Sequence, residues 1–132
     1  VFTSLPDVKR TLMVLNGQLK LSHEGHHNAV LNPLEKDQFL GDWNTKSWGK
    51  VTDFNLMTKG DCIGKLNGYQ FDEVQSLSIK SSEQNVFIHV REGNIKFGDS
   101  NMLTGESVLI KNNNDINLNI NENSLIVVVE FS

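Results

Sequence analysis

Five residues, His23-Glu24-Gly25-His26-His27, spell the H-E-x-x-H pattern in which two imidazoles hold zinc and a glutamate acts as base. That chemistry needs a helix, because residues four apart share a face there. Gly25 is a turn former, and the residues around the cluster alternate as strands do. The pattern therefore reads as a solvent-exposed hairpin tip. Its clustered imidazoles can pick up an adventitious metal such as nickel, and no functional metal site is expected.

The remaining chemistry-bearing types are sparse. The fourth histidine, His89, lies alone in Val86-Phe87-Ile88-His89-Val90 and reads as structural. Cys62 is the single cysteine, so it forms no internal bridge and no thiolate-rich metal site, and an incidental thiol is the expectation. No G-x-S-x-G elbow is present. Gly60, Gly64 and Gly68 precede no Gly-Lys-Ser/Thr, so they form no phosphate loop. Trp43 and Trp48 are expected to pack rather than to stack a ligand. No catalytic residue, metal or cofactor is assigned.

Two segments are more suggestive. Phe39-Leu40-Gly41-Asp42 and Thr52-Asp53-Phe54-Asn55-Leu56-Met57-Thr58 set carboxylates beside amide and aromatic groups. In a strand, Asp53 and Asn55 point to the same face. Turned inward, they need partners or a ligand, because an unpaired buried polar group costs several kcal/mol. Arg10 precedes an apolar strand and can supply a fork that matches a carboxylate bidentately. An internal Asp–Arg–Asn network that fixes the packing is the competing reading.

The elements that would position these residues are strands. Period-2 alternation dominates. Strands are expected at Thr11 to Leu15, through Leu19 and Leu21, at Asn28 to Leu31 and at Val51 to Thr58, with an Asn16-Gly17 hairpin turn and a loop over Pro33 to Gln38. Six more are expected at Val74 to Ile79, Val86 to Val90, Ile95 to Phe97, Ser107 to Ile110, Ile116 to Ile120 and Leu125 to Phe131. Ten of the 16 asparagines follow position 84, which fits many tight reversals. Leu15-Asn16-Gly17-Gln18-Leu19-Lys20-Leu21 is echoed by Val90-Arg91-Glu92-Gly93-Asn94-Ile95-Lys96-Phe97. The pattern predicts an all-β chain, a double jelly-roll or β-barrel with little helix, whose lobes 1–58 and 72–132 are joined by a Gly-rich loop over 59–71.

Composition limits the function classes. The chain has 132 residues, 12 Lys plus Arg and 16 Asp plus Glu, for a net charge of −4. An acidic chain lacks the electrostatic footprint of a nucleic-acid binder. No apolar run approaches the roughly 20 residues of a membrane helix. Val1 to Pro6 shows no cationic region followed by an apolar one, so no signal peptide is read there. A cytoplasmic protein is expected.

Three segments carry a resemblance. Val1-Phe2-Thr3-Ser4-Leu5-Pro6-Asp7-Val8-Lys9-Arg10-Thr11-Leu12, Phe39-Leu40-Gly41-Asp42 and Val51-Thr52-Asp53-Phe54-Asn55-Leu56-Met57-Thr58 resemble, in order and spacing, the P-F-S-x-h-P-G-x-x-R-x-L, F-x-G-D and D-F-N-h-M elements of the HutD/Ves family. The resemblance implies a cupin-like, two-lobed architecture without the usual cupin metal ligands. It also implies a bacterial cytoplasmic protein, in some members a regulator of histidine utilisation that binds a pathway metabolite. Family chains begin some tens of residues earlier with a W-K-N-G-G-G segment that has no counterpart here, so a fragment or a shortened member is expected. An edge strand left unpaired favours a homodimer or association with the missing segment over a free monomer.

The expectation is a non-enzymatic binding protein. Arg10, Asp42, Asp53 and Asn55 would line a barrel interior, with Phe39 as an apolar wall. The ligand would be small, polar and anionic or zwitterionic; urocanate or a formylated glutamate is suggested by the resemblance. One alternative is a metal-independent enzyme using Asp53 or Asp42 as base. The other is an interaction module whose barrel is filled by Leu12, Val14, Phe54 and Leu56.

Overall fold

A computed structural model describes residues 4–132. Val1 to Thr3, the start of the first resemblance segment, lie outside the described residues. The described chain contains fourteen strands, all of whose pairings are antiparallel. No helix is long and apolar enough to cross a membrane. The chain divides into two compact units, Val1–Cys62 and Ile63–Ser132.

The first unit holds β1 (Val8–Asn16), β2 (Leu19–His23), β3 (Asn28–Leu31), β4 (Lys36–Leu40), β5 (Thr45–Trp48) and β6 (Thr52–Lys59). They form two three-stranded sheets, β4-β1-β6 and β3-β2-β5. Leu12, Val14, Leu19, Leu21, Leu31 and Phe39 make its core, with Ala29, Trp43 and Val51 packed against them. The hairpin expected at Asn16-Gly17 does not form, because β1 and β2 belong to different sheets; Gly17, with φ +92°, carries the chain from one sheet to the other, and a Cβ there would lie 2.6 Å from the Lys50 carbonyl oxygen. Glycine is the residue that tolerates both conditions.

The second unit holds β7 (Gly64–Phe71), β8 (Gln75–Lys80), β9 (Asn85–Glu92), β10 (Asn94–Phe97), β11 (Ser100–Leu103), β12 (Ser107–Lys111), β13 (Asp115–Ile120) and β14 (Ser124–Phe131). Their orders, β12-β9-β14-β7 and β11-β10-β13-β8, make an eight-stranded jelly roll. Ile79, Val86, Ile88, Val90, Ile95, Ile116, Leu118, Ile120, Ile126 and Val128 are among its buried core.

Replacing β9–β14 by β1–β6 turns the second unit's strand orders into the first unit's. The short sequence echo between Leu15–Leu21 and Val90–Phe97 thus marks a repeated six-strand topology. In the second unit β14 and β13 have β7 and β8 as outer neighbours, whereas among the described residues β6 and β5 are sheet edges. Neither unit is a closed barrel, since each consists of two separately hydrogen-bonded sheets.

Several expectations about elements need correction. The stretch 59–71 is not a linker loop: Gly64–Phe71 is β7, hydrogen-bonded along β14. Leu66 and Phe71 are buried but stand five residues apart, on opposite faces of the strand, and Gly64 and Gly68 add no side chain, so no alternation marks β7. Pro33 to Gln38 is not all loop, because β4 begins at Lys36. The strands β5 and β11 were not foreseen. All three lie at sheet edges, where one side faces solvent and the apolar pattern is weak. Trp43 packs on the core as expected, but Trp48 is 54% exposed.

On β9, His89 faces Ser107 of β12, with Nδ1 2.7 Å from the serine Oγ. Burial, aided by Arg91, holds its imidazole below the ordinary histidine value. The unfolded chain therefore takes up this proton first, so stability is full above about pH 6.5 and falls as pH drops towards the folded value. Urea midpoints between pH 7.5 and pH 5.5 are expected to decline less steeply in His89→Gln than in the wild type. Equal slopes would remove His89 as a cause.

Candidate functional site

The first unit's polar residues gather on the inner face of the β4-β1-β6 sheet. Register alone sets this face. Arg10, Leu12 and Val14 alternate on β1; Phe39 and Asp37 stand opposite Arg10 and Leu12; Met57, Asn55 and Asp53 stand opposite Arg10, Leu12 and Val14. Directly paired residues share a face in an antiparallel ladder. Leu12 and Val14 are core residues, so this is the inner face. Phe54 and Leu56 fall on the other face, opposite Met13 and Thr11. Leu12, Val14, Phe54 and Leu56 therefore do not fill one interior together.

Arg10 is 5% exposed, with its guanidinium carbon 5.3 Å from the Phe39 ring centroid. A cation over an aromatic face is attracted by the ring quadrupole. Burial lowers the guanidinium from its ordinary value, and the Asp53 carboxylate acts in the opposite sense. Asp53 itself is exposed, and Asn55 is half-buried on the edge strand β6. The Asn55 Oδ1 is shielded from solvent yet has no hydrogen-bond partner among the described residues. Asp42 lies apart from this group, in the exposed turn after β4. Thus four of the five residues singled out in the sequence share one face, and Asp42 does not join them.

A second cluster adjoins the first through Phe39, whose ring centroid is 4.5 Å from that of His23. His23 is 1% exposed and departs from the reading of the histidine cluster as a solvent-exposed tip, while Glu24, Gly25, His26 and His27 are exposed as that reading has them. The cause is alternation: Leu19, Leu21 and His23 point inward along β2. Its Nδ1 lies 2.7 Å from Thr45 Oγ1, on the directly opposite residue of β5. Its Nε2 lies 2.7 Å from Asp37 Oδ2, and His27 Nε2 lies 2.6 Å from the other oxygen of that carboxylate. Asp37 therefore ties two imidazoles together.

The turn that brings the histidines together is fixed from several sides. His23 N donates to His27 O at 3.1 Å, His26 N donates to His23 O at 2.9 Å, and Gly25 has φ +77°. Glu24 N donates to Asn44 O, and the Asn44 side chain donates to the Glu24 carboxylate. The His26 ring stacks on Trp43, 3.6 Å between centroids and 7° between planes. Trp43 also meets His23 and His27 edge-on, at 5.5 and 5.7 Å. The H-E-x-x-H letters are thus a strand end and a turn, not a helical zinc motif.

Asp37 and Thr45 were not singled out from the sequence. Asp37 falls within the expected Pro33 to Gln38 loop, and Thr45 lies on an edge strand without apolar alternation. The available signals were the inward phase of Leu19-Leu21-His23 and of Asp37-Phe39.

The HutD family model matches residues 1–128. No curated protein matches. Among solved structures, a conserved protein of unknown function, PA5104 of Pseudomonas aeruginosa PAO1, is similar with a TM-score of 0.76 at 16% identity, over 99% of this chain and 75% of that one. HutD of Pseudomonas fluorescens SBW25 is similar with a TM-score of 0.73 at 21% identity, over 99% and 71% of the two chains. A cupin 2 conserved barrel domain protein of Leptotrichia buccalis reaches 0.52 at 11% identity, over 100% and 77%. At these identities the structures establish a shared cupin-like fold, while the family model spans nearly all of the sequence that builds both units. The chain belongs to the HutD family.

Proposed function

We propose that this protein binds a small anionic or zwitterionic metabolite on the inner face of its first unit and acts without catalysis, as a regulator of histidine utilisation. The observation that carries the reading is the solvent-shielded Asn55 Oδ1, an acceptor without a donor, on the same face as buried Arg10. A buried acceptor left unmet costs about 1–3 kcal/mol, which a ligand N–H or O–H would recover. Arg10 supplies the fork for a carboxylate, and Phe39 forms an apolar wall under it. A ligand with a carboxylate and a nearby donor can meet the Arg10 fork and the Asn55 acceptor together, as urocanate and N-formylglutamate do. Membership of the HutD family supports the choice of histidine-pathway compounds.

Calorimetric titration with urocanate, N-formylglutamate and glutamate tests the reading. At least one is expected to bind, and Arg10→Gln is expected to weaken it by about 2–5 kcal/mol, the loss typical of truncating one partner of a buried charge-assisted pair. Asn55→Leu, on an edge strand, serves if Arg10→Gln does not fold, and should weaken binding with the fold intact. Absence of heat with all three compounds on folded protein would sink the reading.

A further inference from the structure

We propose that His23, His27 and Asp37 form a binding site for a divalent transition-metal ion. The donor set is the first argument. His23 Nε2, His27 Nε2 and a carboxylate oxygen of Asp37 all lie within 4.8 Å of one another. Two imidazoles and a carboxylate suit zinc, iron, nickel and copper rather than calcium or magnesium. Three protein ligands leave a coordination position open, as in metal sites that accept a further ligand.

Geometry is the second argument. The two N···O distances are 2.7 and 2.6 Å. Metal–ligand bonds of about 2.0–2.2 Å in tetrahedral array set donor atoms roughly 3.4 Å apart. Each gap would thus open by less than about 1 Å: His27, 45% exposed, can shift to widen its own, and a small turn of the Asp37 carboxylate widens the gap to His23. The His23 side chain, at 0%, is the fixed member of the site.

The third argument is the proton. Without metal, the Asp37 carboxylate accepts from Nε2–H of His23, and His23 Nδ1 then accepts from the Thr45 hydroxyl. With metal on Nε2, the ring proton moves to Nδ1 and Thr45 Oγ1 accepts it at the same 2.7 Å contact. A hydroxyl serves either role. Thr45 therefore acts as the orienting outer partner that metal-bound histidines ordinarily have. No net proton need leave the pair.

The site adjoins the metabolite face through Phe39 and Asp37, but its donors do not include Arg10 or Asn55, so metal binding is read independently of the metabolite proposal. The test is titration of the full chain with Co²⁺ alone, read by its visible absorption, followed by displacement with Zn²⁺. One equivalent is expected to bind with bands of low-coordinate cobalt. His27→Ala and Asp37→Asn should each weaken binding tenfold or more, and Thr45→Val by about tenfold. His26→Ala should leave the affinity unchanged, since that ring stacks on Trp43. His27→Ala removes a half-exposed side chain, so it keeps the test usable if Asp37→Asn does not fold. No saturable cobalt binding, or binding that survives His27→Ala and falls with His26→Ala, would overturn the proposal.

Discussion

Asp37→Ala is expected to destabilise the first unit by about 1–3 kcal/mol, because it strips the acceptor from a ring nitrogen that water cannot reach. The His23 side chain is fully buried and its Nε2 meets Asp37 at 2.7 Å. His27 loses the same partner but is 45% exposed, so solvent replaces the bond there. Asp37→Asn should cost less than Asp37→Ala. Its amide can donate to Nε2 if His23 moves its proton to Nδ1, where Thr45 Oγ1 accepts it. Urea unfolding of both variants in metal-free buffer measures the difference. Equal losses in the two would mean that the cost lies in lost packing rather than in the lost acceptor.

Ile126→Ala is expected to cost about 2–5 kcal/mol, and Ile126→Val about 0.5–1.5 kcal/mol. Ile126 is fully buried on β14, between Tyr69 of β7 and Val90 of β9, in the second unit's core. Deleting its three outer carbons leaves a cavity that strands bonded on both sides have little freedom to close. A domain of this size holds roughly 0.05–0.15 kcal/mol per residue, so the alanine variant loses a large share of its stability. Val30→Ala, at a position 53% exposed, should shift stability by less than about 0.5 kcal/mol. Urea midpoints for the three variants give the ranking, and an Ile126→Ala loss no larger than that of Val30→Ala would contradict it.

How far each site could be read from the sequence depended on where it sits in the sheets. The Asp53 and Asn55 pair was legible because period 2 is a local property, and the register then set Arg10 and Phe39 on the same face. Asp42 failed because it lies past the end of β4, where alternation no longer controls direction. His23 was legible in principle, being two residues beyond Leu21 on one strand, but the glycine turn after it drew the whole cluster into a tip. The Gly-rich stretch around β7 was misread for a related reason: glycine carries no side chain to show which face is buried, and only pairing with β14 reveals the strand.

The sequence by itself determined an all-β chain, its main strands, a repeated strand–glycine–strand segment and the absence of the commonest catalytic motifs, because alternation and turn chemistry act over a few residues. Tertiary structure decided which face each strand buries, the jelly-roll order of the second unit and its six-strand counterpart in the first. It also decided the meeting of His23, His27, Asp37 and Thr45. Those residues come from different strands and a turn, and only the hydrogen-bonded registers and the packed core bring such distant positions within 3 Å of one another.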